Sequence, residues 1–283
     1  MMFRANRLLL SWIGLAVLLE GAVAIDGKLK PEELVAQHLA AIGNDEARGA
    51  VKSRALAGAT TCVLRLGGEG ELQGPGNILS DRRRTRIGLK YQSQEYSGEQ
   101  LAFDGERVSV GLVRPGERSA LAQFVYHHDV VMREGLLGGV LNAAWGLLDT
   151  GNRQPKLAYN GLKNVEGRRF HELRYRPRRG PADLQITLYF EPETSRHVMT
   201  RYRLEVPSGM PSAPGETPPR NSFHTLVEYF GDFRDVDGLT LPHSYRFVYT
   251  IEGLQSTYLA QWSFSDVKIA HNAPMEDGYF SVP

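Results

Sequence analysis

The chain has 283 residues, of which 42% are hydrophobic, with 33 Lys plus Arg set against 32 Asp plus Glu. A net charge this close to zero argues against nucleic acid or an anionic membrane surface as the main partner. The lone Cys62 excludes an internal disulfide.

At the N-terminus, Arg4 and Arg7 precede an apolar run from Leu8 to Leu19, and Ala22-Val23-Ala24 has the small-x-small form of a cleavage site. This pattern predicts a secretory signal peptide over residues 1–24, although Glu20 does not fit it. The run is short for a transmembrane helix. The mature chain is expected to begin near Ile25, to be soluble in the periplasm or outside the cell, and to form one domain over 25–283. No cysteine follows the cleavage site, so the chain is not expected to be a lipoprotein itself.

A helix is predicted over 31–43, with Pro31, Glu32 and Glu33 at its start and Gly43 at its end. Leu34, His38, Ala41 and Ile42 share one of its faces. A strand follows over 52–66, on which Cys62 alternates with Leu64 and Leu66 as a buried, inert thiol. Residues 67–76 hold five glycines and read as a turn region. Residues 78–91, 100–103 and 107–113 read as strands, with Asp104-Gly105 as a hairpin turn.

Residues 119–150 form a helical insertion, and within it 135–148 carry no charge. Leu136, Val140, Ala144 and Leu148 repeat every fourth residue, with Leu137, Leu141 and Trp145 in a second row. That spacing predicts an amphipathic helix with a wide apolar stripe. Its other face, Gly138, Gly139, Asn142, Ala143 and Gly146, is small and uncharged. Each internal glycine costs roughly 1 kcal/mol against alanine, so this helix is expected to be loosely held, as core or as the cover of an apolar cavity.

Alternating strands then return. Leu184, Ile186, Leu188 and Phe190 oppose Asp183, Gln185 and Thr187. Val198, Tyr202, Leu204 and Val206 oppose Arg201, Arg203 and Glu205. Tyr245, Phe247, Tyr249 and Ile251 oppose Ser244, Arg246 and Thr250. Such alternation predicts an antiparallel sheet with one buried face. Residues 207–220, rich in proline, read as a long flexible loop. The fold class is mainly β with a few helices, a strongly curved antiparallel sheet of ten or eleven strands.

The order and spacing of several short strings carry a family resemblance. They are His38-Leu39-Ala40-Ala41-Ile42-Gly43, Val51-Lys52-Ser53-Arg54-Ala55-Leu56-Ala57-Gly58, Ala102-Phe103-Asp104-Gly105-Glu106-Arg107-Val108, Leu188-Tyr189-Phe190-Glu191-Pro192-Glu193-Thr194 and Phe233-Arg234-Asp235-Val236-Asp237-Gly238-Leu239-Thr240-Leu241-Pro242. Together, along nearly the whole mature chain, they resemble outer-membrane lipoprotein-sorting proteins of the LolA/LolB-like carrier superfamily. The resemblance implies a half-open β-barrel capped by helices, with an apolar concave face that holds lipid or the acyl chains of lipoproteins. It also implies a lid, for which Leu136, Leu137, Val140, Leu141, Trp145 and Leu148 are the candidates, together with the first helix. A latch arginine on an early strand is implied as well, and Arg84 and Arg86, which share a face, are the candidates. The chain is longer than the short carriers, with an insertion around 117–157, which leaves the cargo open.

Other chemistry finds little support. His127-His128-Asp129 is the tightest cluster of metal-ligand types, but neighbours on an extended segment point to opposite faces, and no metal site is expected there. The spacing Asp232-x-x-Asp235-x-Asp237-Gly238 fails the frame of a calcium loop, because Phe233 and Ser244 fall on ligand positions. No nucleophile elbow, dinucleotide fingerprint or phosphate loop occurs. Glu172, Glu205 and Glu228 are scattered, and no catalytic dyad follows from them. The expectation is a non-catalytic periplasmic carrier without cofactor or metal, with inner- and outer-membrane transport partners; its oligomeric state is left open, with a monomer favoured. An envelope-stress sensor on the same scaffold, or a periplasmic hydrolase, are the alternatives.

Overall fold

The computed structural model describes residues 29–65, 69–207, 221–253 and 257–282. The expected signal peptide and, beyond Pro207, the proline-rich loop lie outside them.

Helix α1 (Pro31–Ile42) starts on a proline, with Glu32 and Glu33 in its first turn, and buries Leu34, Val35, His38 and Ile42. The acids sit where the helix dipole favours them. A short α2 (Asp45–Ala50) begins at Asn44, whose side chain accepts the Ala47 amide at 2.8 Å.

Five strands follow: β1 (Ser53–Arg65), β2 (Glu69–Asp81), β3 (Arg84–Leu89), β4 (Gln100–Phe103) and β5 (Val108–Val110). Next come α3 (Ala120–His127), α4 (Val130–Arg133) and α5 (Thr150–Arg153). The second set of strands is β6 (Lys156–Val165), β7 (Arg168–Arg176), β8 (Gln185–Phe190), β9 (His197–Val206), β10 (Ser222–Val236), β11 (Leu239–Glu252) and β12 (Thr257–His271).

The strands form one twelve-stranded sheet in the order β5-β4-β3-β2-β1-β12-β11-β10-β9-β8-β7-β6, every neighbouring pair antiparallel. The first and last strands meet in the middle, with Thr60 opposite Phe264 and Cys62 opposite Trp262. The outer strands β5 and β6 are not paired to each other, so the sheet curls without closing. This is the expected mainly-β, half-open barrel with helices.

The strand order has a consequence for the interior. The chain leaves the sheet at one edge, β5, and re-enters it at the other, β6. Residues 111–155 must therefore cross from edge to edge, and they do so over the concave face.

That face is built by period-two alternation. Leu56 and Cys62 on β1, Ile78 on β2, Ile87 and Leu89 on β3, Leu188 and Phe190 on β8, Leu226 and Phe230 on β10, and Tyr245, Phe247 and Tyr249 on β11 are all buried in one apolar cluster. A smaller cluster, Phe170, Tyr189, Val198, Met199 and Val227, lies apart from it.

Three local expectations are corrected. Residues 78–91 are not one strand, because Arg82, in a left-handed conformation at φ 53°, turns the chain into a hairpin. The glycines of the 67–76 region serve a strand as well as a turn: Gly70, Gly74 and Gly76 lie within β2. A Cβ on Gly74 would stand 2.0 Å from the Lys90 carbonyl oxygen, so glycine there permits a close chain crossing.

The largest correction concerns 135–148, which is not a helix. After α4 the chain forms only two 3-10 turns, Gly139–Leu141 and Gly146–Asp149. Gly135, Gly138 and Gly139 take φ values of 64°, 86° and 51°, a left-handed region open to glycine and strained for other residues. The four-residue spacing of leucines thus arises in an irregular segment, whose side chains point inward for reasons of tertiary packing.

The candidate ligand-binding interior

The irregular segment fills the concave face. Leu136, Leu137, Val140, Leu141 and Trp145 are each at most 2% exposed. Leu148 is 39% exposed, and Leu147 is buried in its place, because the 3-10 turn shifts the inward phase by one residue. A cavity of only about 20 Å³ remains beside the segment, between Val140, Leu148, Ile42, Arg54 and Leu239. The small, uncharged face is packed as well: a Cβ on Gly139 would stand 2.6 Å from the Phe230 ring.

A few polar contacts hold the segment, most of them made by side chains placed in the apolar register of the sheet. Arg54 shares its face of β1 with Leu56; its guanidinium donates to the Val140 carbonyl and, through Nε, to His271 at 3.0 Å. Its partners carry no negative charge, and burial lowers its pKa to about 10, so it remains a cation at neutral pH.

Glu228 stands between Leu226 and Phe230 on β10 and is fully buried. Its Oε1 accepts the Gly138 amide at 2.7 Å and the Tyr245 hydroxyl at 2.6 Å, and Oε2 accepts the Tyr202 hydroxyl at 2.8 Å. Burial raises its pKa to about 7, against those three hydrogen bonds.

Ser80 accepts the Ala143 amide at 2.8 Å, and Asn142 donates to Thr85 Oγ1 at 2.8 Å. At the far side, Trp145 Nε1 donates to His38 Nε2 at 3.1 Å, while His38 Nδ1 donates to the Ser195 carbonyl at 3.1 Å. The two bonds fix the neutral tautomer of His38, and burial holds its pKa down to about 4. Trp145 also stacks on His197, with ring centroids 4.9 Å apart.

A second buried carboxylate, Glu99, accepts from Tyr96 at 2.6 Å and from Ser119 at 2.8 Å. Tyr96 in turn receives the Trp262 indole at 2.9 Å. This network seats α3 at the other end of the interior.

Arg84 and Arg86 face away from the segment, because Thr85 between them is the residue turned to Asn142. Arg84 pairs with Asp81 and Asp277 and lies 4.5 Å over the Phe280 ring; Arg86 donates to the Tyr279 carbonyl and to Gln100. Both fasten the C-terminal 3-10 turn Asp277–Phe280. Two other arginines touch the central segment, Arg54 at the Val140 carbonyl and Arg153 at the Ala144 carbonyl.

Spacing alone did not mark Arg54, Glu99 or His197, and Glu228 entered only as one of three scattered carboxylates. A charged residue between two buried apolar ones, as in Leu226-x-Glu228-x-Phe230, was the available signal.

His127 is exposed beside Gln123, and the ring of His128 packs on Phe124. Among the described residues no group of His, Cys, Asp and Glu gathers as a metal site. Asp237-Gly238 forms the β10–β11 turn, with φ values of 53° and 77°.

No family model matches the chain, and no curated protein matches it. It is similar to a LolA superfamily protein from Nitrosomonas europaea, with 12% identity over 90% of this chain and 99% of that one and a TM-score of 0.45. It is also similar to an outer membrane lipoprotein-sorting protein domain from Vibrio parahaemolyticus, with 9% identity, 88% and 97% coverage, and a TM-score of 0.43. A DUF1329 family protein from Desulfovibrio piger gives 9% identity, 89% and 97% coverage, and a TM-score of 0.40.

Proposed function

We propose that the protein is a non-catalytic carrier whose concave face takes up lipid or the acyl chains of lipoproteins in the space now filled by residues 135–148. The observation that carries this function is that an apolar sheet face is covered by an uncharged, irregular stretch of the chain itself, fixed by a few polar contacts. Residues 135–148 are then an exchangeable plug, and Leu136, Leu137, Val140, Leu141 and Trp145 occupy the positions of acyl chains. Leu148 marks the edge of the plug.

The magnitudes favour exchange. Burying each large apolar side chain is worth roughly 1.5–3 kcal/mol, so the five contribute roughly 7–15 kcal/mol. An acyl chain contributes about 0.8 kcal/mol per buried CH₂, so a sixteen-carbon chain contributes on the order of 12 kcal/mol. Plug and ligand are therefore near balance, which suits a carrier that must both load and release.

Arg54 acts as the latch of the closed state, and Glu228 fixes the backbone of the plug at Gly138. With the expected signal peptide, the place of action is the periplasm, and the role is transport toward the outer membrane between membrane-bound donor and acceptor partners.

Native mass spectrometry of protein purified without detergent from its own host tests the function. Bound phospholipid or triacylated species are expected. A protein that is empty and also fails to bind a fluorescent fatty acid refutes it.

A further inference from the structure

A cleft of about 670 Å³ opens at the rim of the barrel, separate from the plugged interior. Arg83 in the β2–β3 turn and Gly105-Glu106 in the β4–β5 turn form one wall. Arg178, Arg179 and Gly180, between β7 and β8, form the opposite wall, and α4 and α5 close the floor with Arg133 and Arg153. The sheet itself brings these walls together. Eight steps separate β3 from β7 in the strand order, and at about 20–25° of twist per step the rotation reaches roughly 160–200°. Strand ends that would lie far apart in a flat sheet then face each other.

Five arginines line the cleft against three carboxylates, Glu106, Asp129 and Glu134. Two of the three are engaged: Asp129 pairs with Arg133 at 3.4 Å, and Glu134 accepts the Tyr175 hydroxyl at 2.7 Å. Arg83, Arg178 and Arg179 are exposed and make no ion pair among the described residues; Arg178 donates to Gln154 at 2.6 Å.

Arg153 is only 7% exposed. It donates from Nη1 to the Arg133 carbonyl at 2.8 Å and from Nη2 to the Ala144 carbonyl at 3.1 Å, while its buried Nε has no partner among the described residues. Burial lowers its pKa, and the charge of Arg83 adds to that effect, while Glu134 and Asp149 oppose it. A buried donor without an acceptor, in a cleft also lined by guanidinium groups that make no ion pair among the described residues, calls for an anion with several acceptor oxygens.

We propose that this cleft binds a phosphate group, placed to hold the headgroup of a lipid whose chains enter the interior. Guanidinium groups meet phosphate oxygens in bidentate fashion, and arginines from separate loops can do so from several sides. Through Arg153 the cleft touches Ala144 of the plug, so headgroup and plug compete for one guanidinium. The lipid source of the phosphate rests on the carrier function; the phosphate site does not.

Calorimetric titration of the mature protein at low salt separates the two. The probes are short-chain phosphatidylglycerol below its micelle concentration, glycerol phosphate, inorganic phosphate, and a fluorescent monoacylglycerol that has a chain but no charge. Phosphatidylglycerol is expected to bind more tightly than either soluble phosphate. The double variant R178Q/R179Q, with an unchanged urea midpoint, is expected to weaken all three phosphate ligands at least about tenfold. Monoacylglycerol affinity should stay within about twofold.

Phosphatidylglycerol affinity unchanged in R178Q/R179Q and in R83Q overturns the cleft as a phosphate site, even where monoacylglycerol still binds. Arginine-dependent binding of the soluble phosphates, with neither acyl ligand bound, upholds the site but assigns it to a free phosphorylated solute, and it refutes the carrier function.

Discussion

Replacing Gly139 by alanine separates a plug from an ordinary core segment. Gly139 has φ 51°, and an added Cβ would stand 2.6 Å from Cζ of Phe230 and 3.1 Å from both neighbouring ring carbons. An L-residue in the left-handed region costs about 1–2 kcal/mol, and overpacking a filled site adds about 1–3 kcal/mol. The closed state is therefore destabilised by at least about 2 kcal/mol. If acyl chains bind only the opened protein, apparent affinity scales with the open fraction, and 2 kcal/mol tightens binding up to about thirtyfold. Titration with a fluorescent fatty acid, set beside urea unfolding, reads both quantities. The expected result is lower stability together with tighter binding. A G139A protein that loses stability and affinity in parallel refutes the plug, because destabilising a core does not help a ligand.

Three further outcomes follow from the same contacts. R54M is expected to tighten acyl binding severalfold by leaving the Val140 carbonyl unpaired in the closed state, a cost of about 1–3 kcal/mol, whereas R84Q should leave binding unchanged and only loosen residues 277–280; equal effects of the two variants would count against Arg54 as the latch. Glu228 keeps its proton to about pH 7 in the folded protein but loses it near its ordinary value of 4.5 when unfolded. Over that window the native state holds the extra proton, so this group's contribution to stability falls by about 3 kcal/mol as pH rises and is constant above pH 7. Glu99 acts in the same direction, while His38, held down to about 4, acts in the opposite direction below pH 6.5. Comparison with E228Q isolates the one group: its stability relative to the parent should rise between pH 4.5 and 7 in urea unfolding, and a pH-independent difference would falsify the assignment.

The sheet was readable because alternation is a local signal. The faces of 184–190 and 245–251 and the helix at 31–42 all follow from residue spacing alone. The hairpin at Arg82 was hidden because arginine carries no turn signal, and the strand at Glu69–Asp81 was hidden because its glycines serve chain crossing. The central segment misled for a more general reason. Its leucines repeat every four residues, but three glycines in left-handed conformations break the helix, and the inward direction of each side chain is set by the sheet beneath. The burial candidates in it are placed in the interior, except Leu148. The partners that fix it, Arg54, Glu228 and His38, lie 86, 90 and 107 residues from the groups they bind, beyond the reach of a periodicity argument. Of these, His38 stood out in advance as a member of a buried helix face, and Glu228 only as a scattered carboxylate.

The central claim is that acyl chains displace residues 135–148 from the concave face. Amide hydrogen exchange at Gly138 and Ala143, whose N–H groups are held by Glu228 and Ser80, tests it most directly, because exchange reports local opening. On saturation with an acyl ligand, both amides should exchange faster while the strands β10 and β11 keep their protection. Unchanged or slower exchange at both positions, with ligand bound, would contradict the claim.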